Sequence, residues 1–216
     1  MRITDDRYTR DRQRFDLAFR MIHHEARTWT IRTWTGLSDD RIRKLYRSYV
    51  ESHGSGVKRH RGKSPTQTAF FLRNLETRRH AAALGGLFAT FGLLHDPAPD
   101  RGPGGTLAGL RWGELFCLTY ETYAAFYQPH CISFEHAWHL LRLLEREVEL
   151  KAGTCPACEG FMVVDVLRMP GAVCTWCESE ARAPAAAGAR SPVRFPALAA
   201  RRAVALRSRT VTAAAG

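Results

Sequence analysis

Two Cys-x-x-Cys pairs constrain this chain more than any other feature. In "TCPACEGFMVVDVLRMPGAVCTWCE", Cys155 and Cys158 form one pair and Cys174 and Cys177 the other, with fifteen residues between the inner cysteines. Each Cys-x-x-Cys turn can aim two sulfurs at one point. The β-branched segment "EGFMVVDVLRMPGAV" between the pairs, with its Pro-Gly turn, reads as a small hairpin that returns the second turn to the first. The spacing falls within the C-x₂-C-x₁₅₋₂₀-C-x₂-C pattern of zinc sites. Four thiolates fill a tetrahedron around Zn²⁺ at about 2.3 Å and leave no position for water or substrate. The expectation is therefore one structural zinc ion per chain. Its binding, about 10–16 kcal/mol, would also be folding free energy for so small a segment. One Cys-x-x-Cys alone would leave a redox dithiol equally open. Cys117 and Cys131 stand in helical or turn context and read as ordinary residues.

The 216 residues, 45% of them hydrophobic, allow one domain or two small ones with a real core. No apolar run is long enough to span a membrane. The N-terminus "MRITDDRYTRDRQRFD" lacks the apolar segment of a secretory signal. A cytoplasmic location follows as the expectation, and in that reducing compartment cysteines serve as metal ligands or plain thiols rather than disulfides.

The net charge of +11 is unevenly placed. Residues 1–80 carry 19 Lys and Arg against 9 Asp and Glu, whereas residues 81–150 carry 4 against 8. The last 36 residues hold 7 Arg and no acid. Basic ends around an acidic middle suggest a polyanion partner for the ends and protein contacts for the middle. The plainer alternative is a basic protein from an arginine-rich proteome, since Arg outnumbers Lys 28 to 4.

Apolar periodicity reads as mainly helical. Phe15, Leu17, Ala18, Phe19, Ile22 and Ala26 recur at helical spacing from Asp11 onward. A short helix then leads to a turn at Gly36 and Leu37. A second helix follows with Ser38 as N-cap and Asp39 and Asp40 in its first turn, burying Ile42, Leu45, Tyr46 and Tyr49. "ESHGSGVKRHRGKSP" is a loop. Ser64, Pro65 and Gln67 form a capping-box pattern for a helix running to about Leu94, broken or kinked at Gly85-Gly86. A further loop precedes a helix from about Leu107 to Phe126. The last long helix is capped by Ser133, with Phe134, Trp138, Leu141, Leu144 and Val148 on one stripe. Beyond Glu180 the Ala-, Pro- and Arg-rich tail offers little to pack and is expected to be disordered.

Two basic clusters are candidate DNA contacts. Ile31, Leu37, Ile42 and Leu45 have the spacing that packs one helix across another in a helix-turn-helix. Arg41, Lys44 and Arg47 would then lie on the exposed side of the second helix, able to meet phosphates or guanine edges. Against this, Arg32 stands where the motif prefers a small residue, and Asp39 and Asp40 put negative charge at the end that enters the groove. An ordinary helical hairpin is the alternative. The second cluster is Lys58, Arg59, Arg61 and Lys63, which with His60 resembles a phosphate clamp; the alternative is a solvated loop. No catalytic constellation stands out. His23-His24 and His136/His139 lack partners for a metal or acid–base site, and no phosphate-binding glycine loop follows a strand. The chain reads as a non-enzyme.

Three segments in order resemble the FlhC family, the C subunit of the bacterial flagellar master transcriptional regulator. They are "ARTWTIRTWTGLSDDRIRKLYRSY", "AFFLRNLETRRHAAALGGLF" and "EHAWHLLRLLEREVELKAGTCPACEGFMV". Together with the four cysteines they cover roughly residues 10–180. The resemblance implies a cytoplasmic transcription activator with Cys155, Cys158, Cys174 and Cys177 as zinc ligands. It implies a heterohexamer with a FlhD-type subunit, two C subunits around a D tetramer, acting on double-stranded DNA upstream of flagellar operons. Contact with RNA polymerase would follow. The expected organisation is a helical DNA- and partner-binding domain (1–150) with a helix-turn-helix-like segment. A four-cysteine, zinc-ribbon-like β-hairpin unit (151–180) and the basic tail (181–216) follow it. A zinc-stabilised interaction adaptor with incidental basic charge is the competing reading.

Overall fold

The computed structural model describes residues 2–53, 56–94, 107–167 and 171–182. The expected loop at 95–105, Pro170 of the expected Pro-Gly turn and the tail beyond residue 182 lie outside the described residues.

The first helix, α1 (Arg2–His23), begins well before the Asp11 that periodicity suggested. Residues 7–10 are exposed, Tyr8 by 74%. An apolar stripe records burial rather than helicity, so it starts only at Leu17, Ala18, Met21 and Ile22, which are fully buried. Helix α2 (Thr28–Thr35) ends where Gly36 takes a left-handed φ of 68° and returns its N–H to the Arg32 carbonyl. Helix α3 (Asp39–His53) starts as expected, with Ser38 Oγ accepting the Arg41 N–H at 3.4 Å.

The helix expected from Ser64 does not form there. Residues 58–67 stay irregular, because Ser64 Oγ donates to the Glu135 carboxylate at 2.8 Å instead of capping a helix. One short turn, α4 (Ala69–Leu72), precedes α5 (Leu75–Thr90). The true cap is Asn74, whose side chain accepts the Thr77 N–H at 2.8 Å. Nor does α5 break at Gly85-Gly86. These glycines let β2 lie against the helix: a Cβ on Gly85 would stand 2.5 Å from the Phe161 ring.

Helix α6 (Leu107–Phe126) has the expected bounds and packs on α1, α2 and α5. Helix α7 (Phe134–Arg146) is capped by Ser133, which accepts the His136 N–H. It stops at Glu147, left-handed at φ 49°, so Val148 leaves the expected stripe and is 71% exposed. Strands β1 (Leu150–Thr154) and β2 (Phe161–Asp165) pair antiparallel with Leu150 opposite Asp165 and Thr154 opposite Phe161. The hairpin therefore encloses the first cysteine pair instead of lying between the two pairs. Helix α8 (Thr175–Arg182) closes the described chain.

One large core runs through the helices, from Leu17 and Ile31 to Phe71, Phe88, Phe116 and Leu140, and includes Val163 of β2. A second, small core holds Cys155, Met162, Val164 and Cys174. Strand alternation puts successive residues on opposite faces. Phe161 and Val163 thus serve the helical body while Met162 and Val164 serve the cysteine cluster.

Candidate metal centre and nucleic-acid face

The first cysteine turn caps the hairpin. Cys155 donates its N–H to the Gly160 carbonyl at 2.9 Å and accepts the Glu159 N–H on its carbonyl at 2.8 Å. Glu159 is left-handed at φ 59°, and a Cβ on Gly160 would stand 3.3 Å from Cys158 Sγ. The second turn opens α8. Cys174 precedes its first residue and accepts the Glu178 N–H, and Cys177 lies in the first turn. Positive partial charge at a helix N-terminus favours thiolates there.

The four sulfurs all lie within 4.8 Å of one another. Cys155 and Cys177 are 4.0 Å apart and Cys158 and Cys174 3.7 Å. A tetrahedral ion about 2.3 Å from each sulfur sets them about 3.8 Å apart, so the quartet fits a zinc-sized ion. Backbone N–H groups face the sulfurs as well: Cys174 N–H to Cys155 Sγ at 3.2 Å and Cys177 N–H to Cys174 Sγ at 3.4 Å. Burial opposes ionisation of Cys155, but the N–H groups of Cys174, Ala157 and Cys158 outweigh it and bring the thiol down to about 6. Burial pushes Cys174 up, and the hydrogen bond shared with Cys158 pushes Cys177 up. An arriving ion must therefore displace protons from Cys174 and Cys177.

A family model described as "Flagellar transcriptional activator (FlhC)" matches residues 4–190. The chain belongs to the FlhC family. That is a family of transcription regulators, not enzymes, and its matched span includes the whole cysteine quartet. No curated protein matches the chain. No helix among the described residues is long and apolar enough to cross a membrane.

The other candidate residues of this FlhC-family chain lie on its N-terminal part. Helices α1, α2 and α3 pack on one another, with Ile31, Leu37 and Ile42 buried at the α2–α3 contact. The three helices thus form one packed unit around the Gly36 turn. Arg32 is exposed and reaches Asp39 at 3.4 Å, and Arg43 pairs with Asp40 at 2.8 Å. The acids at the start of α3 are therefore partly neutralised.

Arg41, Lys44 and Arg47 are all exposed on α3, opposite Ile42 and Tyr46. Arg41 lies over the Phe15 ring at 5.6 Å, while Lys44 and Arg47 have no ion pair among the described residues. Lys58, Arg59, Arg61 and Lys63 are exposed too. The loop touches the same helical unit: the Arg59 guanidinium lies 5.9 Å from the ring of Tyr46, on the side of α3 away from Arg41, Lys44 and Arg47, and 3.5 Å from Thr28 Oγ1 of α2.

What sequence reasoning missed is how this loop is held. Glu25, left-handed at φ 58° just past α1, accepts the Lys58 N–H at 2.9 Å and meets His60 Nε2 at 2.6 Å. Glu135, buried in the first turn of α7, accepts the Arg27 N–H at 2.7 Å and the Ser64 hydroxyl. Arg27 in turn donates to the Arg61 carbonyl at 2.9 Å. These contacts join residues 33 to 108 positions apart (Glu25–Lys58, Arg27–Glu135), and no local motif carries such a signal. The histidines that lacked partners in sequence have structural ones. His24 meets Glu121 at 2.9 Å, and His136 stacks on Phe70 at 4.0 Å. Cys117 is fully buried, and burial pushes its thiol up, as expected of a packing residue.

Proposed function

We propose that this chain activates flagellar operons by binding double-stranded promoter DNA through two exposed basic clusters, one on α3 and one on the 58–63 loop. The observation that carries this is the exposure of two sets of cations on one helical unit, Arg41, Lys44 and Arg47 on α3 and Lys58, Arg59, Arg61 and Lys63 on the loop packed against it through Arg59. Such cations release counterions from DNA on binding, so affinity falls steeply as salt rises. Helix α3 would approach the major groove and the loop the neighbouring phosphates, the division of labour common to helix-turn-helix proteins.

In this reading the chain works in the cytoplasm within a heterohexamer, two copies around four FlhD-type subunits, and passes its signal to RNA polymerase. Zinc, held by Cys155, Cys158, Cys174 and Cys177, would supply no chemistry beyond tying two turns together. Its chain ligands would fix the hairpin and α8 against α5. The helical part (1–150), the cysteine unit (151–180) and the basic tail (181–216) would then be functional divisions more than independent folding units, since β2 belongs to both cores.

The test is a gel-shift titration of the chain, reconstituted with a FlhD-type subunit, on flagellar promoter DNA. Lys58→Glu with Arg61→Glu should reduce affinity by roughly a hundredfold at moderate salt, since two phosphate contacts become repulsive. Binding no tighter than to random DNA, or unaffected by the double reversal, defeats the proposal. The latter outcome with intact partner binding would favour the adaptor reading, for which the exposed Leu118 and Phe126 of α6 offer a surface.

A further inference from the structure

Resting on the DNA-binding reading above, we infer that two acids, Glu25 and Glu135, are positioning residues for the basic loop and so strengthen the binding of a polyanion. They hold the two ends of that loop. Glu25 grips the start, through the Lys58 N–H at 2.9 Å and His60 at 2.6 Å. Glu135 grips the end through Ser64 Oγ at 2.8 Å, and also the α2 start through the Arg27 N–H at 2.7 Å. Arg27 closes the frame by donating to the Arg61 carbonyl at 2.9 Å. The contacts reach the loop through the Lys58 N–H, the His60 ring, the Arg61 carbonyl and the Ser64 hydroxyl, so the side chains of Lys58, Arg61 and Lys63 keep their charge free of ion pairs among the described residues. Five basic or potentially basic groups in six positions repel one another, and an unheld loop would spread them. Fixing them beforehand spares the ordering cost at the moment of binding.

Simple electrostatics predicts the opposite sign. A carboxylate beside a phosphate-binding face repels DNA, and removing it should tighten binding. Two substitutions of Glu25 separate the effects. Glu25→Gln deletes the charge but keeps an acceptor for the Lys58 N–H. Glu25→Ala deletes both. Ser64→Ala frees the other end while leaving Glu135 its bond from the Arg27 N–H.

The experiment uses the full chain with its FlhD-type partner and promoter DNA across a salt series. Glu25→Ala should weaken binding roughly threefold to tenfold and flatten the salt slope by about one unit for every phosphate that the loop no longer engages. Glu25→Gln should bind at least as tightly as the parent. Ser64→Ala should weaken binding in the direction of Glu25→Ala. A readout without DNA is tryptic cleavage after Lys58, Arg59, Arg61 and Lys63. It should quicken in Glu25→Ala and Ser64→Ala and hold steady in Glu25→Gln. Equal or tighter DNA binding by Glu25→Ala, or unchanged cleavage, overturns the inference. If instead the Lys58/Arg61 reversal leaves DNA binding intact, the DNA-binding reading itself is what fails.

Discussion

Phe161 of β2 lies against Gly85 of α5 so closely that a methyl group on Gly85 would stand 2.5 Å from the ring. The cysteine unit is thereby keyed into the helical body. Gly86, one residue on, is a built-in control: a Cβ there would meet Phe161 at 3.5 Å, an ordinary contact. Alanine is favoured over glycine within a helix by about 1 kcal/mol. Gly86→Ala should therefore be neutral or stabilising. Gly85→Ala should destabilise by about 1–3 kcal/mol, the usual cost of overpacking. Urea unfolding of both variants checks this, and equal stabilities would show that the ring moves aside freely.

The shared strand also links the cysteine quartet to tertiary structure. Trp176 of α8 sits 4.0 Å under the Arg79 guanidinium of α5, and Arg79 donates to Ser179 at 2.7 Å. Metal analysis should find one ion per chain, and none in Cys174→Ser. Stripping the ion with a chelator should loosen α8 and shift tryptophan emission. Trp176→Phe should remove most of that shift. A full emission change in Trp176→Phe would place the disturbance elsewhere.

The helices were legible wherever an apolar stripe faces the core, as in α3 and α7, and the bounds of α6 matched throughout. The cysteine quartet was legible because its chemistry demands a fixed local spacing. Its hairpin was misplaced because "LKAGT" (150–154) has no strand-like alternation. It becomes a strand only through pairing with the buried "FMVVD". Ser64-Pro65 carried a sound capping pattern that yielded to a tertiary partner, Glu135. Gly85-Gly86 looked like a break because glycine is read by its backbone freedom, while here its lack of bulk is what the packing uses. Glu25 and Glu135 were invisible because their role exists only between segments distant in sequence.

The displaced helix start can be tested directly. Asn74 accepts the N–H of Thr77 at 2.8 Å and its hydroxyl at 2.6 Å, with an extended backbone at φ −148°. Asn74→Ala should cost about 1 kcal/mol, as N-cap removals do. Asn74→Ser should recover most of it. Chemical denaturation with unchanged m-value would report a loss of stability alone. No loss in the alanine variant would mean that α5 is fixed by packing on β2 and α6 and not by its cap.

Acid should weaken the contact between α1 and α6 in two windows. His24 stacks on Phe134 at 5.3 Å with an edge toward Tyr120, and Glu121, Arg20 and His23 are the charged or titratable groups that act on it. Burial holds it below its ordinary value of 6.5, against the pull of Glu121. A group whose folded value is depressed binds more protons unfolded, so stability is full above about 6.5 and declines as pH falls through the folded value. Glu121, held below 4.5 first by the Arg20 hydrogen bond at 2.7 Å, adds a second decline at lower pH. Urea midpoints should therefore drop between pH 7.5 and 5.5. His24→Phe should shrink that drop without abolishing it, because burial also lowers His80, His136 and His139. Glu121→Gln should leave the upper window and reduce the lower one. A drop of the same size in His24→Phe would show that His24 is protonated alike in the folded and unfolded chain.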